Sequence, residues 1–211
     1  MTQEKKIGFK QRVPAIAFRE AIREFFPECR IEQSFVTELL SAYFRGDYAR
    51  HRSVLHITAS LNNPKLMEFF QKNSRGFANA ATHDREPLLI AFALLCARYS
   101  FCYDIAVELA KHFRLQDVIT KEMLAKSISG KYGYNENVKR TMERFLAFCV
   151  EAEIIERPNK ATYKCTKPYK PLSPIMFELW KRVYVINEPF ANLEDNFDLP
   201  FEPFFRYLNI L

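Results

Sequence analysis

The chain reads as a mainly α protein, with an N-terminal helical bundle followed by a winged helix-turn-helix and a packed C-terminal tail. Three observations predict this. Apolar residues recur at helical spacing through the first half, broken by prolines and short polar links. Gly is scarce, at 5 of 211 residues, while Phe reaches 20. Few glycines argue against phosphate-cradling loops and turn-rich β-sandwiches, and many Phe rings call for a thick aromatic core. Finally, two capped helical segments are followed by a hairpin pattern rich in Lys and Arg. The expected boundaries are 1–116 for the bundle, 117–170 for the winged helix and 171–211 for a helix and aromatic, acidic tail.

The bundle is expected to hold about six helices, with no strand before residue 154. Pro14 opens the first, which carries Ile16, Phe18, Ile22 and Phe25 until Pro27 stops it. Ser34 is placed to cap a second, with Phe35, Leu39, Ala42 and Tyr43 at helical spacing, and Gly46 ends it. Asp47 caps a third that runs to about Leu61. Asn63–Pro64, a cap residue before a first-turn proline, starts a fourth with Leu66, Met67, Phe69 and Phe70. Pro87 opens a fifth, LLIAFALLCARY, apolar nearly all round, as in the buried centre of a bundle. A sixth, over about 102–113, carries Ile105, Val107, Leu109 and Phe113.

From residue 117 the pattern changes. Thr120 caps the helix KEMLAKSIS, which ends at Gly130, and GKYGYN forms the link. Asn135 caps the next helix, whose apolar positions Val138, Met142, Phe145 and Cys149 fall on one face. Ile154 and Ile155 then lead into a hairpin, with Pro158–Asn159 as the turn and 161–166 as the return strand. Helix, turn, helix and hairpin in this order form a winged-helix DNA reader, whose second helix shows its first turns to the major groove. That helix offers Asn135, Asn137, Lys139, Arg140 and Arg144, side chains suited to adenine, guanine and phosphate. The wing carries Arg157, Lys160, Lys164, Lys167 and Lys170 with no acid after Glu156. Lys126, Lys131 and Tyr132 are placed to add phosphate contacts from the first helix and turn. A second basic cluster, Arg45, Tyr48, Arg50, His51, Arg52 and His56, forms either another phosphate-contacting face or a solvated surface. The partner expected is double-stranded DNA. An assembly module that uses the same winged helix for protein contacts alone is the alternative.

Charge is consistent with a polyanionic partner. Residues 1–116 carry 17 basic and 12 acidic side chains, residues 117–182 carry 13 and 8, and residues 183–211 carry 1 and 5. A basic middle attracts phosphate backbones. The acidic tail holds Glu188, Glu194, Asp195, Asp198 and Glu202 among Phe190, Phe197, Phe201, Phe204 and Phe205, rings expected to pack on the body. One helix should precede it, with Met176, Leu179, Trp180 and Val183.

Enzymatic motifs are lacking: there is no HExxH, GxSxG, GxxxxGK[ST] or GxGxxG. His51, His56, His83 and His112 form no dense ligand set. The five cysteines, Cys29, Cys96, Cys102, Cys149 and Cys165, include no CxxC pair, and three sit in apolar helical patterns. No catalytic residue, cofactor, metal or small-molecule substrate is therefore expected. The opening MTQEKKIGFKQR is polar and basic, and the longest apolar run, Leu88–Ala97, is too short to span a bilayer. A cytoplasmic protein with no membrane contact is expected.

The succession of EPLLIAFALLCARY, KEMLAKSIS and NENVKRTMERFLAFCVEAEII behind a helical N-terminal region resembles the small BrxA proteins of bacterial BREX phage-defence systems, over roughly residues 30–160. The resemblance implies a helical bundle joined to a winged helix, DNA binding without catalysis, and other defence-system proteins as partners. It also implies that Lys139, Arg140 and Arg144 lie on the second winged-helix helix and Arg157, Lys160 and Lys164 in the wing. Residues beyond 185 have no counterpart in it.

Overall fold

In the first helix, α1 (Ala15–Phe25), Pro14 holds an extended conformation at the N-cap and offers no side-chain oxygen. The orphan Ala15 N–H instead donates to the carboxylate of Glu151, far along the chain, at 3.1 Å. A computed structural model describes residues 7–166 and 172–189. In it α1 buries Phe18, Ile22 and Phe25. Ile16, expected on the same face, lies two residues from Phe18, just over half a turn away, and is 38% exposed.

Helix α2 (Gln33–Ser41) starts two residues earlier than Ser34 would allow as a cap, and its buried pair is Val36 and Leu40. Phe35 and Leu39 are left half-buried, and Tyr43 lies exposed beyond the helix end. Helix α3 (Asp47–Leu61) has Gly46, not Asp47, at its N-cap; Asp47 is the first helical residue and its carboxylate pairs with Arg50 instead of capping. Helix α4 (Pro64–Lys72) starts as expected, and the Asn63 side chain accepts from the Lys65 N–H at 3.1 Å. A further helix, α5 (Ser74–Thr82), was not expected. Its sequence SRGFANAAT carries one large apolar residue, so no periodic stripe announces it. Tertiary packing supplies the reason: Phe77 stacks on Phe26 at 4.6 Å and meets Phe70 edge-on at 5.2 Å.

Helix α6 (Glu86–Arg98) is buried at every position from Glu86 to Ala97, as its all-round apolar sequence requires. A bend of 118° at Tyr99 leads into α7 (Ser100–Leu115), and no single helix among the described residues is long and apolar enough to cross a membrane. The first unit therefore has seven helices rather than about six.

A short strand, β1 (Val118–Thr120), precedes α8 (Lys121–Tyr132) and corrects the expectation of no strand before 154. Three residues cannot show an alternation; β1 exists because it pairs antiparallel with β3. The Thr120 hydroxyl caps α8 by accepting from the Met123 N–H, and α8 continues through Gly130 to end at Gly133, where φ is +75°. Asn135 caps α9 (Glu136–Glu151) by accepting from the Val138 N–H at 2.9 Å. Strands β2 (Ile155–Asn159) and β3 (Thr162–Cys165) follow, and the antiparallel sheet has the order β1-β3-β2. The hairpin turns at 160–161, two residues beyond Pro158–Asn159. Pro158 instead sits on the edge strand where the register shifts between Glu156 and Asn159, a place that tolerates its missing N–H. Helix α10 (Ile175–Asn187) then buries Met176, Leu179, Trp180 and Val183 as expected. Buried Glu86 holds its approach by accepting from the Ser173 N–H at 2.9 Å.

The core does not divide at residue 116. Phe145 of α9 stacks on Phe92 of α6 at 5.8 Å and meets Phe9 edge-on at 6.2 Å. The expected tail residues Phe190 to Phe205 and Glu194 to Glu202, and the expected wing residues Lys167 and Lys170, lie outside the described residues.

Candidate nucleic-acid interface

The geometry of α8, α9 and the hairpin follows from three local devices. The two side-chain caps fix where each helix begins. The Lys121 N–H donates to the Ala161 carbonyl at 2.8 Å, tying the hairpin tip to the start of α8. Buried Tyr163 turns its neighbours Thr162 and Lys164 to the other face of the strand, where Lys164 is exposed.

Between these elements runs a groove of about 1000 Å³. Met123, Ala125, Val138 and Met142 contribute apolar surface to it, and Lys126, Asn135, Lys139 and Lys160 line it as well. Lys126, Lys139 and Lys160 are exposed and take part in no salt bridge among the described residues. Lys121, Glu122 and Tyr134 also line the groove, although the sequence did not single them out. Tyr134 is 84% exposed at the α8–α9 turn. Lys121 is neutralised by Glu143.

The expected site residues divide into those that share this surface and those that do not. Asn135 is there, but its side-chain oxygen is engaged as the cap, which leaves only its amide N–H groups to offer. Asn137 and Arg140 are exposed on the first turns of α9, and Arg140 pairs with Glu136 of its own helix at 3.1 Å. Such an exposed pair is weak and exchanges readily for a phosphate. Lys164 stands on the outer hairpin face.

Four residues depart from the expectation. Lys131 and Tyr132 do not face out toward a backbone; both bond to Asp104 of α7, Lys131 at 3.1 Å and the Tyr132 hydroxyl at 2.6 Å. Asp104 is buried and needs both donors, and burial together with that carboxylate pushes the Tyr132 phenol well up. The sequence carried a signal for this in Asp104 and Glu108, two acids four apart on an apolar helix, which call for a basic partner. Arg157 folds back over the Tyr163 ring at 5.9 Å and donates to the Lys160 carbonyl, lining a cleft with Glu143 and Glu151 rather than the lysine groove. Arg144 is half-buried, does not line the groove, and is near enough to His56 for its charge to bear on that ring.

The second basic cluster also separates. His56 is buried, and Tyr99 hydrogen-bonds its Nδ1 at 2.7 Å. Burial first, then Arg52, Arg144 and Arg98, lower its pKa to about 4, so it stays neutral. Arg50 pairs with Asp47, while Arg45, Tyr48 and His51 are exposed. The thiols of Cys96, Cys102 and Cys149 are pushed well up by burial and are poor nucleophiles. Among the described residues no group of three His, Cys, Asp or Glu is placed to hold a metal ion. No family model matches the chain, and no curated protein or solved structure matches it.

Proposed function

We propose that the chain is a non-enzymatic protein that binds double-stranded DNA through a winged helix made of α7, β1, α8, α9, β2 and β3. The observation that carries this is the convergence of Lys126, Lys139 and Lys160, from three separate elements, on one groove beside the N-terminal turns of α9. The sheet order β1-β3-β2, with a strand before the helix pair and a hairpin after it, supports the winged-helix reading. Three ammonium groups without acidic partners among the described residues release counterions when phosphates bind, so affinity falls as salt rises. Asn137 and Arg140 are the base readers of this reading. They are few beside the phosphate binders, so sequence preference is modest. The resemblance to BrxA proteins extends the proposal to a cytoplasmic component of a bacterial phage-defence system that works beside other defence proteins.

One observation favours the rival reading of a protein assembly module: the groove floor is apolar, with Met123, Val138 and Met142. A mobility-shift assay at low salt separates the two. The DNA reading expects a shift for every duplex tested, and expects Lys139→Ala and Lys160→Ala each to weaken all sequences alike and lower the salt slope by about one. No shift at micromolar protein sinks the DNA reading and leaves the assembly module.

A further inference from the structure

Phosphate binding accounts for only part of the lysine groove. Lys126, Lys139 and Lys160 rim it, yet most of its wall is apolar, from Met123, Val138 and Met142. A phosphate backbone gains nothing from thioether and methyl surface. Four lysines against one acid, Glu122, leave the wall basic. An apolar recess of about 1000 Å³ inside a basic rim suits a chain segment that carries large apolar and acidic side chains together.

One segment of this chain has that composition. Residues 188–205 interleave five carboxylates with five Phe rings, as in Phe197–Asp198 and Phe201–Glu202, and no Lys, Arg or His occurs from 183 to 205. The segment also begins within reach. Asn187 ends α10, and Glu188 lines a small cleft with Tyr184 and with Tyr103, Lys111 and Arg114 of α7. Helix α8 packs on this same α7: Lys131 bonds Asp104 at 3.1 Å, and Ser127 Oγ lies 3.1 Å from His112 Nε2. Lys126 and Ser129 stand on the other side of α8, in the groove wall. The chain therefore leaves α10 one helix away from the groove. A helix is about 10–12 Å across, while residues 190–211 can extend over roughly 70 Å. A tethered segment of this reach is present at an effective concentration of about millimolar, so individually weak contacts suffice.

We propose that the acidic, aromatic segment 190–205 seats in the lysine groove of its own chain, with Phe rings on the Met123, Val138 and Met142 wall and carboxylates at Lys126, Lys139 and Lys160. It covers the surface assigned to duplex DNA, so DNA must displace it. The seating stands on the groove and the segment alone; its consequence for DNA rests on the reading proposed above.

The test is acetylation footprinting of lysines in the full chain at low salt, followed residue by residue by mass spectrometry. A groove filled nine-tenths of the time slows its lysines about tenfold. Asp195→Asn with Asp198→Asn and Glu202→Gln should therefore speed Lys126, Lys139 and Lys160 about tenfold and leave Lys65, exposed on α4, unchanged. Phe197→Ser with Phe201→Ser should do the same. So should Met123→Ser, which alters the groove and keeps the segment intact. Unchanged rates in all three variants overturn the seating. A response to the carboxylate variant alone overturns it too, because diffuse attraction needs no apolar wall. Protection that strengthens with protein concentration assigns the segment to a second copy and overturns the contact within one chain. In mobility shifts at low salt, the carboxylate and Phe variants should bind duplex DNA about tenfold more tightly than wild type. Freed lysines with unchanged DNA affinity overturn the competition. No shift by any of these proteins overturns the DNA reading alone, because acetylation still decides the seating.

Discussion

Phe145→Ala tests whether the bundle and the α8–α9–hairpin region fold as one. The ring is fully buried and touches Phe92 at 5.8 Å, Phe148 at 6.3 Å and Phe9 at 6.2 Å, so it joins α9 to the centre of the bundle. Truncating a buried Phe to Ala costs about 3–5 kcal/mol, from lost transfer energy and the cavity left behind. The upper part of that range applies here because three aromatic partners cannot close around the gap without breaking their own contacts. With a urea slope of about 2 kcal/mol per molar, the midpoint should fall by about 2 M. The single tryptophan, Trp180 of α10, is buried 5.4 Å from Phe92 and supplies a fluorescence probe inside the bundle. Far-ultraviolet circular dichroism follows the whole chain. One core requires both signals to shift together. A Trp180 transition that stays at the wild-type midpoint while part of the dichroism melts early would refute the continuous core and restore a boundary at residue 116.

Other expectations follow from single contacts. Thr120→Ala and Asn135→Ala each remove a side-chain cap and should cost about 1 kcal/mol in chemical denaturation; a loss well below this would show that the caps do not set the helix starts. Tyr132→Phe leaves buried Asp104 short of a donor and should cost about 1–3 kcal/mol without altering DNA affinity, whereas weaker DNA binding at unchanged stability would return Tyr132 to the interface. His56 titrates at about 4 when folded, below its usual 6.5, so the unfolded chain binds the extra proton between these values. The stability it contributes is therefore complete above about pH 6.5 and falls by about 3 kcal/mol as pH drops toward 4. Arg52, Arg98 and Arg144 face the ring from three elements and Tyr99 bonds it; His56→Gln should flatten this acid limb, and an unchanged limb would locate the titration elsewhere.

What the sequence revealed and what it hid have a common physical origin. Thr120, Asn135 and Asn63 act within three residues of themselves, so their caps were legible in one dimension. The apolar stripe of α9 was legible for the same reason. Helix α5 and strand β1 draw their stability from distant partners, Phe26 and Phe70 for one and β3 for the other, and have no pattern of their own. Site residues follow the same division. Lys126, Lys139 and Lys160 stand close to a cap or a turn tip, where exposure can be foreseen. Lys131 and Tyr132 lie five and six residues past Lys126, which carries them around α8 toward Asp104.

Lys139 stands on the groove side of α9, while Glu136 and Arg140 pair on its exposed surface. A helix seated in a major groove about 12 Å wide turns its centre to the base edges and its flanks to the phosphate backbones. On the proposed reading, Lys126, Lys139 and Lys160 serve one strand. Glu151 and Phe145 fasten α9 to the bundle, so the position of that flank is fixed before any ligand arrives. Rigid placement of this kind favours a duplex over a flexible single strand. Preference for single-stranded over duplex DNA of equal charge, in a competition shift assay, would defeat this geometry.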